Sequence, residues 1–308
     1  MIMNAKSHRK IKARAADRMF DFFNTIFMLF IITVMLYPFL NMVAISLNNA
    51  TDSIKGGIYL WPRMFTTYNY KTIFENPLLF TAFRNSVLRT VLSTAGGLFV
   101  CSMAGYVVSR SEFILSKFVT VYFLMTMYVS AGLIPVYFVY RDLGLINNWW
   151  VYVLPGLFGA FNVIVIRTYM QGLPDSLVEA ARIDGAGEFR TYIQIILPIC
   201  KPVLATVGLW MAVGNWNDWF TSYIFASSRT ELTTLQFELM KVLSSALAQM
   251  SNRQASALAQ QGAAAFENIS PIAIRATITI VAAVPILCVY PFLQKYFVKG
   301  VHVGSVKG

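Results

Sequence analysis

The sequence predicts an all-α integral membrane protein with six transmembrane helices, and three observations carry that prediction. Of the 308 residues 57% are hydrophobic and 13% charged, against about 45–50% and about 25% in a soluble domain. Six apolar runs each reach the length of about 20 residues that crosses a bilayer. Lys and Arg fall unevenly between the segments that join those runs, as expected when basic residues stay on the cytoplasmic face.

The runs are Phe22 to Leu47, Phe83 to Val108, Phe113 to Val139, Trp149 to Met170, Val203 to Phe225 and Pro271 to Phe297. An even number of spans puts both termini on one side. With the N-terminus inside, the inner segments hold Lys6, Arg9, Lys10, Lys12, Arg14, Arg18, Arg110, Lys117, Arg167, Arg182, Arg190, Lys201, Lys295, Lys299 and Lys307. The outer segments then hold Lys55, Arg63, Lys71, Arg141, Arg229, Lys241 and Arg253. Both termini are therefore expected to be cytoplasmic. The net charge of +11 follows from the same bias and does not point to nucleic acid. Basic residues from Lys6 to Arg18 also suit anionic lipid headgroups.

The expected organisation is a single transmembrane domain over 1–308. Its connecting parts are a cytoplasmic N-terminal segment (1–21), outer loops (48–82 and 226–270), a cytoplasmic loop (172–202) and a cytoplasmic tail (298–308). The first run is too long for the apolar core of a signal peptide and no A-x-A site follows it, so it reads as a retained span. Cys101, Cys200 and Cys288 lie in or beside spans without C-x-x-C spacing, which implies neither disulfide nor metal.

In the first outer loop Gly56, Gly57, Pro62 and Pro77 provide turns, while Tyr59, Trp61, Tyr68 and Tyr70 suit the headgroup zone. Pro38, Pro135, Pro155, Pro285 and Pro291 predict kinked or interrupted spans. Gly96, Gly97, Gly105, Gly156 and Gly159 predict close helix contacts. In the second outer loop Thr233 and Gln236 read as a capping box ahead of Leu235, Leu239, Leu243, Leu247 and Met250, an amphipathic spacing.

The cytoplasmic loop carries the most specific pattern. Pro174 and Asp175 open a helix, Glu179, Ala180 and Ala181 follow on it, and Gly185 turns the chain. The two alanines predict a face of little bulk against which another protein can press, with Glu179 and Arg182 offering charged hydrogen bonds at its rim. A second helix is expected to run to about Ile196 and to stop at Pro198, with Pro202 reinforcing the stop.

The spacing of Glu179, Ala180, Ala181, Gly185, Ile195, Leu197 and Pro198 resembles the EAA loop of binding-protein-dependent ABC importer permeases. The stretch Gly132 to Phe158, the run Asn215-Trp216-Asn217-Asp218-Trp219, and the ending Tyr290-Pro291-Phe292 through Gly304 to Gly308 resemble the carbohydrate-uptake class, in particular the smaller maltose-type permease subunit and its relatives in complex-oligosaccharide importers. That resemblance covers nearly the whole chain. It implies a type I ABC importer permease fold and a multi-pass protein of the bacterial cell membrane. Implied partners are a second homologous permease, two ABC ATPase subunits and an extracytoplasmic solute-binding protein.

By the same resemblance Glu179, Ala180, Ala181, Arg182, Asp184, Gly185, Ala186, Phe189 and Pro198 couple to the ATPases. Gly304, Val306, Lys307 and Gly308 enter the ATPase interface, and the 226–270 loop reaches the binding protein. An insertion from Ala246 to Ala265 departs from simple maltose permeases. The chain has no G-x-x-x-x-G-K-[ST] loop, so it is expected to be a translocation subunit, not an enzyme, and to hold no cofactor, with ATP and Mg bound by the partner ATPase.

A path for sugars needs aromatic platforms ringed by polar groups. Trp210, Asn215, Trp216, Asn217, Asp218, Trp219 and Tyr223 of the fifth span offer that pattern, with Asn215 and Trp219 on one helix face; Asn162 is a further candidate and Arg275 another. An interfacial aromatic belt is the competing reading. Arg84 and Arg89 are expected to snorkel outward. The rival functions are a permease of the same architecture for a non-sugar solute such as peptides or polyamines, an ATPase-independent transporter or channel, and a membrane scaffold.

Overall fold

The computed structural model describes residues 15–75, 77–242, 244 and 271–301, and among them there is no strand, only an isolated bridge between Asn48 and Phe65. Predicted features at Gly304, Val306, Lys307 and Gly308, in the insertion, and at Leu243, Leu247 and Met250 lie outside the described residues.

Helix α1 (Ala15–Ser46) contains Pro38, and none of its most apolar window is buried within the chain. Helices α2 (Ala50–Ser53) and α3 (Tyr68–Phe74) fall in the predicted first outer loop. There the Asn48 amide donates to Asp52 and Ser53 at 3.1 and 3.0 Å, and Arg63 pairs with Asp52 at 3.0 Å. That hydrogen bond from Asn48, followed by Arg63, holds the Asp52 carboxyl below the usual carboxylate range. Trp61 is left 83% exposed.

Helix α4 (Pro77–Ser109) is the second straight helix long and apolar enough to cross a membrane. The third predicted span is instead two helices, α5 (Ser116–Tyr128) and α6 (Leu133–Asp142), bent by 114°. The break falls where Gly132 takes φ +82°, a region that costs glycine little. The fourth comprises two 3-10 turns, Trp149–Tyr152 and Leu154–Leu157, followed at 40° by α7 (Ala160–Met170). Pro155 sits in the first turn of the second of these, where its missing amide leaves no bond unmade.

The predicted cytoplasmic loop and predicted fifth span hold α8 (Ser176–Ile183), α9 (Glu188–Thr191), α10 (Leu197–Ile199), α11 (Lys201–Asn217) and α12 (Phe220–Phe225). The predicted second outer loop carries α13 (235–242). Helix α14 (Pro271–Val301) passes through Pro285 and Pro291 without ending. The predicted capping box does not form before α13: Thr233 bonds Glu238, and Gln236 reaches Asn217 at 3.2 Å.

The chain forms two compact units, divided between Asn69 and Tyr70 and between Thr277 and Ile278. In the larger, one core joins Cys101 and Tyr106 of α4, Val163 and Ile166 of α7, Val178 of α8, Tyr192, and Val203 and Val207 of α11. Small residues permit that contact. A Cβ on Gly97 would lie 2.1 Å from the Met211 side chain and 3.2 Å from the Gly156 carbonyl, and one on Gly105 would lie 3.3 Å from the Arg167 amide.

Candidate functional site

Helix α8 has two unlike faces. Val178 and Ala181 are buried, while Glu179, Ala180 and Asp184 are exposed and Ile183 is 87% exposed. The two alanines are thus divided, because neighbours on a helix point about 100° apart: Ala181 packs inward and Ala180 alone presents the low-bulk surface. Burial of Val178 contributes about 1.5–3 kcal/mol relative to exposure in water.

The end of α8 is a Schellman motif. The Ala186 amide donates to the Ala181 carbonyl at 2.9 Å and the Gly185 amide to the Arg182 carbonyl at 3.0 Å, with Gly185 at φ +76°. The expected turn is therefore present at the expected residue. Phe189, 61% exposed, follows on α9.

The return leg differs from expectation. Residues Tyr192–Ile196 form a π turn, in which the Leu197 amide donates back to the Tyr192 carbonyl, and the helix continues through Pro198 to Ile199. Pro198 does not stop it, because the widened turn spans the carbonyls that proline would deprive of a donor. The chain bends by 82° between Ile199 and Lys201 instead, and Pro202 lies in the first turn of α11.

Arg182 is not a free rim group. Its guanidinium donates to Glu112 at 2.8 Å and to Glu188 at 2.9 Å, tying α8 to the α4–α5 connection and to α9. The Tyr106 hydroxyl donates to the other Glu188 oxygen at 2.8 Å, and Arg110 lies 3.7 Å from Asp175. The Arg182 hydrogen bond, then that from Tyr106, holds the Glu188 carboxyl below its ordinary range. Glu112 is lowered first by its own backbone amide and then by Arg182, and Arg182 is raised, chiefly by Glu188 and then by Glu112. Ion pairs this exposed contribute little stability; they orient the loop. The sequence reading missed this cluster, whose one signal was Arg110 and Arg182 together with Glu112, Asp175 and Glu188 in the two predicted inner loops.

In the fifth span α11 ends at Asn217, Asp218 is extended at ψ 105°, and α12 begins at Phe220. Asn215 and Trp219 therefore do not share a continuous helix face. The Asp218 carboxylate accepts from the Thr221 amide at 3.0 Å and from the Thr221 hydroxyl at 2.5 Å, capping α12, and pairs with Arg89. Arg89 does not snorkel outward: it is 4% exposed, it also donates to the Asp218 carbonyl at 2.8 Å, and its guanidinium lies 4.9 Å from the Tyr152 ring centre.

Trp216 is buried, its indole donating to the Ala282 carbonyl at 2.9 Å and its ring edge-on to Phe83. It is held in packing. Trp219, Tyr223 and Phe237 form a chain of rings at 5.9 and 6.2 Å, with Tyr223 half exposed. Trp210 is tilted against Phe161 at 5.7 Å, and Asn162, which follows Phe161 in sequence, is half-buried. Half-buried Asn215 lies near the Gly156 backbone.

A family model described as "Binding-protein-dependent transport system inner membrane component" matches residues 97–303. The chain is 31% identical over 294 residues to a polygalacturonan/rhamnogalacturonan transport system permease protein of Bacillus subtilis, covering 95% of this chain and 99% of the relative. It is 33% identical over 296 residues to the protein LplC of the same organism, covering 95% and 96%. Among solved structures it is similar, with a TM-score of 0.80 and 27% identity over 94% of this chain and 100% of the other, to a bacterial ABC transporter involved in the import of the acidic polysaccharide alginate.

Proposed function

The chain belongs to the family of binding-protein-dependent transport system inner membrane components, and from that membership we propose that it imports an oligosaccharide as one of two permeases driven by ATPase subunits. Six crossings with both termini cytoplasmic make up the proposed topology. They comprise α1, α4, α5 with α6, the two 3-10 turns with α7, α11 with α12, and α14. The lysine and arginine distribution supports the orientation. Helix α1, unburied in its apolar window, leaves surface for lipid and for the second permease.

One observation carries the coupling assignment: α8 is fastened on its inner side by Val178, Ala181 and Arg182 and bare on the other at Glu179, Ala180, Ile183 and Asp184. A helix so placed moves with the spans it is packed against. ATPase closure against the bare face would tilt α11 through the π turn and the 82° bend, exchanging access between the two sides; ATP and Mg belong to the partner. The tail residues Gly304, Val306, Lys307 and Gly308 are proposed to reach the same partner, and Asn162, Trp210, Asn215, Asn217, Asp218, Trp219 and Tyr223 to border the path.

Ala180→Trp tests the coupling, since the side chain points to solvent and the fold tolerates it. A clash at a packed interface of about 2 kcal/mol corresponds to roughly 30-fold weaker ATPase association, read as co-purification of the ATPase and as uptake in vesicles. Normal association and uptake would refute the assignment. The cargo is proposed from the polygalacturonan/rhamnogalacturonan and alginate systems that the relatives' names describe. Binding assays of the partner solute-binding protein with neutral and uronate oligosaccharides, peptides and polyamines separate a sugar importer from a permease for another solute.

A further inference from the structure

The outer half of α4 carries a polar row that nothing in the coupling reading uses. Asn85, Ser86, Arg89 and Ser93 are 2%, 2%, 4% and 0% exposed, and their spacing of about four places them on one helix face. Each meets a segment remote in sequence. The Asn85 amide donates to the carbonyls of Glu231 and Thr233 at 2.8 and 2.9 Å. Ser86 accepts the Leu235 amide at 2.9 Å, and Arg89 holds both carbonyl and carboxylate of Asp218. Ser93 donates to the Tyr152 carbonyl at 2.8 Å, and the Tyr152 hydroxyl returns to the Leu232 carbonyl at 2.5 Å and to Ser222 at 3.0 Å.

The inner half of the same helix is bonded to the coupling loop. Ser102 and Tyr192 share a hydroxyl contact of 2.7 Å, and Tyr106 donates to Glu188. Asn85 and Tyr106 are separated by about 30 Å of α-helix, with no proline between them.

We propose that Asn85, Ser86 and Arg89 are positioning residues that make the outer half of α4 and the segment 218–238 one body, so that motion imposed on the cytoplasmic loop is delivered to the outer surface and docking there is delivered back. The inference rests on the coupling reading above. Helix ends and loop starts joined only by apolar contact can slide past one another. Carbonyls and amides fixed by buried side chains cannot do so without leaving a polar group unpaired.

The test uses the whole complex in nanodiscs, with Cys288 replaced by Ser, Thr230→Cys as an exposed reporter, and Mg·ATP with vanadate as the trapping probe. Cys101 and Cys200 are buried and remain. In the otherwise unaltered protein, trapping is expected to change the maleimide labelling rate at residue 230 by roughly five-fold or more, the scale of a typical coupling energy. Asn85→Leu with Ser86→Ala is expected to abolish that change while basal ATP hydrolysis persists, and Ser86→Thr, which keeps the acceptor, is expected to retain it. If the double variant does not assemble, Ser86→Ala alone is read against Ser86→Thr. A nucleotide-dependent change that survives in the variants overturns this inference and leaves the coupling reading intact; its absence in the unaltered protein overturns both.

Discussion

Two arginine–carboxylate contacts, one between α8 and its neighbours in the EAA-like loop and one at the break between α11 and α12, live in different surroundings. Arg182 has a side chain 44% exposed between Glu112 and Glu188, whereas that of Arg89 is 4% exposed against Asp218. Water competes for the first pair and is withheld from the guanidinium of the second, whose Asp218 side chain is 29% exposed. The same chemistry therefore orients one region and is obligatory in the other, since a buried charge without its partner costs far more than an exposed one.

The comparison is broken most directly at Arg89. Arg89→Met leaves the Asp218 carboxylate partly buried without its counter-charge, which is expected to cost about 3–5 kcal/mol. Thermal unfolding of the complex, followed by fluorescence, checks this, and Arg89→Met with Asp218→Leu is expected to recover part of the loss. Arg182→Met is expected to change stability little. Equal losses from the two single variants would show that burial is not what separates the regions.

A smaller effect sharpens the inner side. At Gly185 a Cβ would meet nothing within 4 Å, so any loss on Gly185→Val comes from the left-handed backbone, about 1–2 kcal/mol. Hydrogen exchange of the last turn of α8 should speed up, and uptake should fall relative to ATP hydrolysis. Gly185→Asn, which visits that conformation more readily, should lie between. Unchanged exchange and uptake in Gly185→Val would mean that the turn does not position the helix.

What the sequence disclosed divides along a related line. Features written in neighbouring residues were legible: the start of α8 behind Pro174, the turn at Gly185, the apolar runs and the small residues at Gly97 and Gly105. Features that depend on distant partners were not. Arg89 reads as a snorkelling residue until Asp218, 129 positions away, is brought to it, and Arg182 reads as a free donor until Glu112 arrives from 70 positions away. Trp216 looked like a sugar platform for the same reason, its packing against Ala282 being 66 positions distant. The break at Asp218 is not legible because Asn215, Asn217 and Asp218 fit the polar face of one continuous helix as well as they fit a cap at which a second helix starts. The π turn before Pro198 likewise contradicts the local rule for proline and is set by how Tyr192 and Ile196 enter the core.

The weakest expected effect concerns pH. In the folded loop Glu188 is depressed by hydrogen bonds from Arg182 and then Tyr106, and Glu112 by its own amide and then Arg182. A carboxylate whose folded value lies below its unfolded one stabilises the folded loop fully above the unfolded value, and that contribution disappears as pH falls through the folded value. Arg182 itself stays charged throughout, so the window belongs to the two glutamates and lies at and below the ordinary carboxylate range. A spin label at Ile183→Cys, on the bare face, should report an α8 that loosens as pH falls through that window. In Arg182→Gln the two carboxyls return toward ordinary values, so loosening should begin at higher pH; a profile that does not move would mean that Val178 and Ala181 hold the helix without help from the charges.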